Sequence, residues 1–212
     1  SGLDVFAPGF QVRLTQFGNA TQSWVVPTVG WEGFISDLVK SYSGQWIVHN
    51  ARYDVLALSR IGVHVPWHRV ADTMIAMRLA APHQSAALKV VTQQYVSASA
   101  GDSQADLARG MRVNGWTWAT VPIDFFPYVY YAALDTILTF RLSETDICKS
   151  GFNSPVYQLE MDVRALCSRM EELGMRIDEE FCSDTRESLL AESEHTIQRM
   201  ESDYGATITS NQ

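Results

Sequence analysis

The sequence is short of cysteine, of long apolar runs and of positive charge, and each shortage excludes something. Its 212 residues hold three cysteines, Cys148, Cys167 and Cys182, an odd number with no C-x-x-C pair. That excludes a disulfide framework and a thiolate metal site, and it makes a reducing, cytoplasmic interior the expected compartment. No apolar stretch approaches the roughly 18 residues that span a bilayer, and the start carries no signal-peptide pattern, so no membrane partner is expected. Lys and Arg number 16 against 24 Asp and Glu, a formal net charge of −8. A balance of that sign does not hold duplex DNA by charge alone. Internal repeats and low-complexity segments are also lacking.

What is present is a globular composition, 46% hydrophobic, long enough for one full domain and a piece of another. Charge is unevenly placed. Residues 1–154 carry eleven acids and eleven bases, whereas from Pro155 onward thirteen acids face five arginines. The asymmetry predicts two units meeting near residue 150, at 1–150 and 151–212. Ser1 stands where an initiator Met would, which predicts a preceding segment outside this chain.

Patterning predicts an α/β protein with a mixed sheet. "QVRLTQFG" alternates as a strand, and after "GNATQ" the run "SWVVPTV" makes the second arm of an antiparallel hairpin. "WEGFISDLVKSYSG" reads as a helix with Phe34, Leu38 and Ile35 inward, closed by Gly44. "QWIVHN" reads as a short buried strand and "ARYDVLALSRIG" as the next helix. In "RVADTMIAMRLAAP" a short strand leads to Asp72 as helix N-cap. Helices follow at "AALKVVTQQYV", "SQADLARGM" and "PYVYYAALDTILTFRLSE", the last with Pro127 in its first turn. "KSGFNSP" reads as a loop, with Ser154 capping a helix whose Val156, Leu159, Val163, Leu166, Met170 and Leu173 form one apolar stripe. A long acidic helix is expected from about Glu179 to Tyr204. Trp116 and Trp118 read as packing anchors, and His49 as a packed or capping residue.

Two carboxylates stand out by their neighbours. Asp135 lies in "YYAALDTILTF" on the helix face of Tyr131, Leu138 and Leu142, where a lone acid is costly unless it is paired, hydrogen-bonded or metal-bound. A satisfied ion pair or a partly exposed edge position is the structural alternative. Asp54 lies in "VHNARYDVLAL", near the start of a helix that follows a strand, where α/β proteins usually build ligand sites. Asn50 as a cap, and Asp54 complementing the helix's positive end, is the structural alternative.

Taken together, N-x-x-x-D after a strand and Y-x-x-x-D on an apolar helix resemble the second and third motifs of a 3′–5′ exonuclease domain. That domain has an RNase H-like fold of the DEDD type with a tyrosine. "YQLEMDVRALCSRMEELGMRID" resembles the passage from exonuclease domain to thumb in family A DNA polymerases, and "ATITSNQ" the stretch that follows. "WHRVADTMIAMRLAAP" and "GWTWATVP" are similar to bacteriophage members, which would place the protein in the host cytoplasm. The family's first motif, D-x-E-T, ends in a pattern that "SGL" continues, so its two acids would precede Ser1. Asp4, followed by "VFAPG", reads as a loop residue and not as a member of that motif.

The resemblance implies a proofreading exonuclease acting on a single-stranded DNA 3′ end, with the rest of the polymerase chain as partner. It implies Mg²⁺ or Mn²⁺ in a two-metal site left incomplete in this chain. Asp54 and Asp135 would be the metal-binding acids and Tyr131 the residue orienting water. Asn50 and Leu3 would contact substrate. Without the first-motif acids, little or no activity is expected of these 212 residues alone. A separate exonuclease similar to ribonuclease D, and a degenerate exonuclease fold kept as a structural or DNA-binding module, are the alternatives.

Overall fold

A computed structural model describes residues 4–205. The chain begins with a hairpin, β1 (Leu14–Gly18) and β2 (Ser23–Pro27), paired antiparallel with Thr15 opposite Val26. Asn19 closes its turn by accepting the backbone N–H groups of Thr21 and Gln22 at 2.9 Å each. Helix α1 (Glu32–Ser41) follows, then β3 (Trp46–Val48) and α2 (Ala51–Ser59). Strand β4 (Val70–Asp72) pairs parallel to β3, with Val48 opposite Asp72, and runs into α3 (Thr73–Ala80). Helices α4 (Leu88–Tyr95), α5 (Asp102–Asn114) and α6 (Phe126–Ser143) complete the central layer.

The α/β expectation holds in this coarse form, but the single mixed sheet does not. Among the described residues the strands form two separate pairs, one antiparallel and one parallel. Helix α6 joins them, packing against β1, β2 and β3. Gly18 lets the hairpin sit close to α6, since a Cβ there would come within 2.5 Å of the Thr136 hydroxyl. That hydroxyl donates to Ser23 Oγ at 2.8 Å, fastening the hairpin to the helix.

Three apolar clusters hold the layers together. Ile35, Val39 and Val63 pack beneath α1. Ala51, Val55, Val70, Ile75 and Met161 surround the parallel pair, and Ala76, Met77, Val91, Leu142 and Cys148 lie beyond α3. On α1 the buried positions are therefore Ile35 and Val39, whereas Phe34 is exposed beside Trp31. The apolar pattern is compatible with either rotation, and the docking of Val63 selects the second.

The expected loop around "KSGFNSP" contains a helix, α7 (Asp146–Phe152), capped by Thr145. It is short, and its Gly151 lowers helix propensity, so the local pattern does not reveal it. Packing explains the glycine: a Cβ at Gly151 would overlap the backbone carbonyl of Ala76 on α3. Because α7 runs to Phe152, Ser154 lies in a turn, its carbonyl accepting Tyr157 N–H at 3.0 Å, and α8 (Tyr157–Leu173) starts later than expected.

The apolar stripe of α8 is also corrected. Val156, Leu159, Val163, Leu166, Met170 and Leu173 are all exposed, while Met161 and Ser168 are buried. Two positions along a helix is about 200° around it, so α8 docks by nearly the opposite face. Periodicity identifies an amphipathic helix without saying which side its neighbour takes.

The chain divides into two compact units between Glu172 and Leu173. The second contains α9 (Glu179–Tyr204), with the bounds expected from sequence. Asp178 caps it by accepting Phe181 N–H at 3.0 Å, and Gly205 ends it in a left-handed conformation at φ 62°. Among the described residues no helix is long and apolar enough to cross a membrane.

Candidate active site

The parallel pair β3 and β4 delivers two helix N-termini, those of α2 and α3, to the same end of the strands. Asp72, fully buried, joins them. Its Oδ1 accepts Asn50 N–H at 3.1 Å and Met74 N–H at 2.8 Å, and its Oδ2 accepts Ala51 N–H at 2.8 Å. Three amides compensate a charge that would otherwise be costly to bury. The expected N-cap role is correct, but Asp72 also organises the neighbouring helix.

Asn50 makes that geometry possible. Among the described residues it alone, apart from glycines, has a positive φ, 72° with ψ 57°. Asn is one of the few side-chain-bearing residues that adopt this left-handed conformation readily. Its side chain forms no cap hydrogen bond, so it turns the backbone without capping it in the usual way.

Asp54 stands in the first turn of α2, just beyond this junction. Burial, then the charges of Asp72 and Asp135, push its carboxyl from 3.8 to about 7. Some of its surface remains accessible to solvent. Asp135 approaches from α6, with Tyr131 one turn earlier. Burial raises the Tyr131 phenol most, followed by the nearby Asp135 charge, so the phenol stays neutral. Trp118 packs against Tyr131 at 6.2 Å between ring centroids, an anchor as expected. Arg13 fixes the Trp118 loop through the carbonyls of Trp118 and Val121.

Asp135 is paired with the ammonium of Lys89, the second residue of α4, and that ammonium lies 4.8 Å from the Tyr131 ring centroid. The ion-pair alternative for Asp135 therefore describes part of its surroundings. His49 helps place α4: Nε2 approaches the Ala86 carbonyl at 2.8 Å and Nδ1 the Thr73 hydroxyl at 2.8 Å. Burial lowers its pKa more than the nearby acids and the Ala86 carbonyl raise it.

The structure thus brings Asp54, Tyr131 and Asp135 into one electrostatically coupled neighbourhood, with Asn50 at its edge. Leu3 lies outside the described residues, as does "ATITSNQ". Asp4 sits at a turn and accepts Phe6 N–H at 3.0 Å, the loop role expected of it. Lys89 and His49 were invisible as site residues because only folding brings residues 46 and 86 positions from Asp135 beside it. Asp72 carried one signal, its place immediately before a helix.

The donors suit a hard divalent cation in kind. Asp54 has no hydrogen-bond partner among the described residues, and both acids offer carboxylate oxygen. In number they fall short of a cage: among the described residues no three His, Cys, Asp or Glu side chains converge to hold a metal.

Comparison with known proteins decides the family. The 3′–5′ exonuclease model of family A DNA polymerases matches residues 1–145. The chain belongs to that family. It is 26% identical over 216 residues to a DNA polymerase of Mycobacterium phage L5, across 92% of this chain and 36% of the relative. It is 25% identical over 223 residues to that of Mycobacterium phage D29, across 97% of this chain and 37% of the relative. The chain therefore spans little more than a third of these polymerases.

Proposed function

We propose that this chain is the proofreading 3′–5′ exonuclease portion of a phage-like family A DNA polymerase, with an RNase H-like core. The observation that carries this reading is the convergence of Asp54 from α2 with Tyr131 and Asp135 from α6. Residues of two helices, 81 positions apart in sequence, lie near enough for the Asp135 charge to act on the partly buried Asp54. Asp54 and Asp135 would each hold a Mg²⁺ or Mn²⁺, which would activate water and stabilise the leaving 3′ oxygen. Tyr131, kept protonated, orients the attacking water by hydrogen bonding. By the family resemblance, Asn50 and Leu3 would contact the terminal nucleotide.

A frayed, single-stranded 3′ terminus is the substrate, because a mismatched end unpairs at less cost. The near-neutral charge of residues 1–154 fits a module that leaves the holding of duplex to the rest of the polymerase. Residues 151–212 open the polymerase region. Within the first compact unit, the Tyr157 hydroxyl accepts Asp72 N–H at 2.8 Å, and Arg52 pairs with Glu171 at 2.6 Å. These 212 residues alone have little or no nuclease activity, because the first-motif acids are not among them.

The test is excision of a 3′-mismatched primer by the full-length protein. Asp135→Ala abolishes excision and leaves polymerisation intact; normal excision by that variant removes Asp135 from the site.

A further inference from the structure

Lys89 is a cation built into an acidic site, and the roles proposed above leave it unused. Its ammonium pairs with Asp135 and rests on the face of Tyr131, contacting both residues that α6 brings to the site. The two charged side chains are only 14% and 19% exposed, so solvent and salt screen the pair weakly. Among the described residues Asp54 forms no such ion pair. The placement is also braced. His49 ties the Ala86 carbonyl, just before α4, to the end of β3, so the base of the Lys89 stem is fixed. The ammonium itself sits on a flexible four-carbon chain that can swing away.

We propose that Lys89 is the internal counter-ion of Asp135, holding the carboxylate against Tyr131 until a divalent cation displaces it. The proposal rests on the metal-dependent reading of the site. Lys89 is a positioning residue. It keeps Asp135 and Tyr131 in register when no cation is bound, and it weakens cation binding by competing for the same oxygen. Two positive groups cannot share Asp135 Oδ1 at hydrogen-bond distance without strong repulsion. Binding of the cation therefore requires the ammonium to move.

The experiment is Mn²⁺ titration of the full-length protein at pH 8, with free Mn²⁺ read by electron paramagnetic resonance. Lys89→Met is expected to tighten binding at this site by about tenfold, since a resident positive charge is removed. A merely structural role would move affinity the other way. Lys89→Arg keeps the charge, is less easily displaced, and binds no more tightly than the parent. Asp135→Asn identifies the site by weakening binding. If Asp135→Asn weakens binding but Lys89→Met leaves it unchanged or weaker, the counter-ion proposal is overturned and the metal site stands. Binding insensitive to Asp135→Asn overturns both. Should Lys89→Met fail to fold, tighter binding by Lys89→Arg than by the parent is the refuting result.

Discussion

Asp54→Asn should make the protein more stable at pH 8 and leave it unchanged near pH 4, provided a chelator keeps divalent cations away. The folded carboxyl ionises at about 7, raised from 3.8 first by burial and then by Asp72 and Asp135. In the unfolded chain it ionises near its ordinary value. Between those two pH values the folded state binds more protons than the unfolded state. Stability therefore falls as pH rises through that window. Each pH unit costs about 1.4 kcal/mol, an upper limit of about 4 kcal/mol above pH 7. Water reaching the partly exposed carboxyl roughly halves the cost, giving about 2 kcal/mol. Asn has the same shape and no charge at any pH, so it removes the penalty only where Asp54 would be ionised. With a urea dependence of about 2 kcal/mol per molar, the midpoint should rise by about 1 M at pH 8. Urea unfolding followed by tryptophan fluorescence at both pH values measures this. Equal midpoints at pH 8, or the same gain at pH 4, would refute the electrostatic account.

Further substitutions probe the site and the frame around it. Asp72→Ala strands the amides of Asn50, Ala51 and Met74 and should destabilise the fold by about 3 kcal/mol, read by urea unfolding. Gly151→Ala forces α7 away from the Ala76 carbonyl and should cost about 2 kcal/mol, whereas an Ala at open Gly33 should cost nothing measurable. Tyr131→Phe should slow excision by about a hundredfold with Mn²⁺ affinity unchanged, because it removes a donor and no ligand. A parallel loss of Mn²⁺ affinity would make Tyr131 part of the binding set.

The local pattern carried much of this protein. Alternation around Val12–Val26, the caps at Asp72 and Asp178, and the helix positions of Asp54 and Asp135 are all properties of neighbouring residues. Hydrogen bonds within a turn or a helix need no distant partner, so the sequence determined them. An acid on the apolar face of α6 also signalled a partner, because burying it alone would be prohibitive. The sequence did not say that the partner is Lys89. Nor did it say that α8 docks through Met161, that α1 turns Phe34 outward, or that α7 presses Gly151 against α3. Those outcomes depend on which surfaces meet. Each of these helices can be rotated or extended at little local cost, and only burial against a particular neighbour selects one arrangement. The site itself divides the same way: its acids were visible one by one, but their mutual repulsion, the neutral Tyr131 and the resident ammonium arise only where α2, α4 and α6 come together.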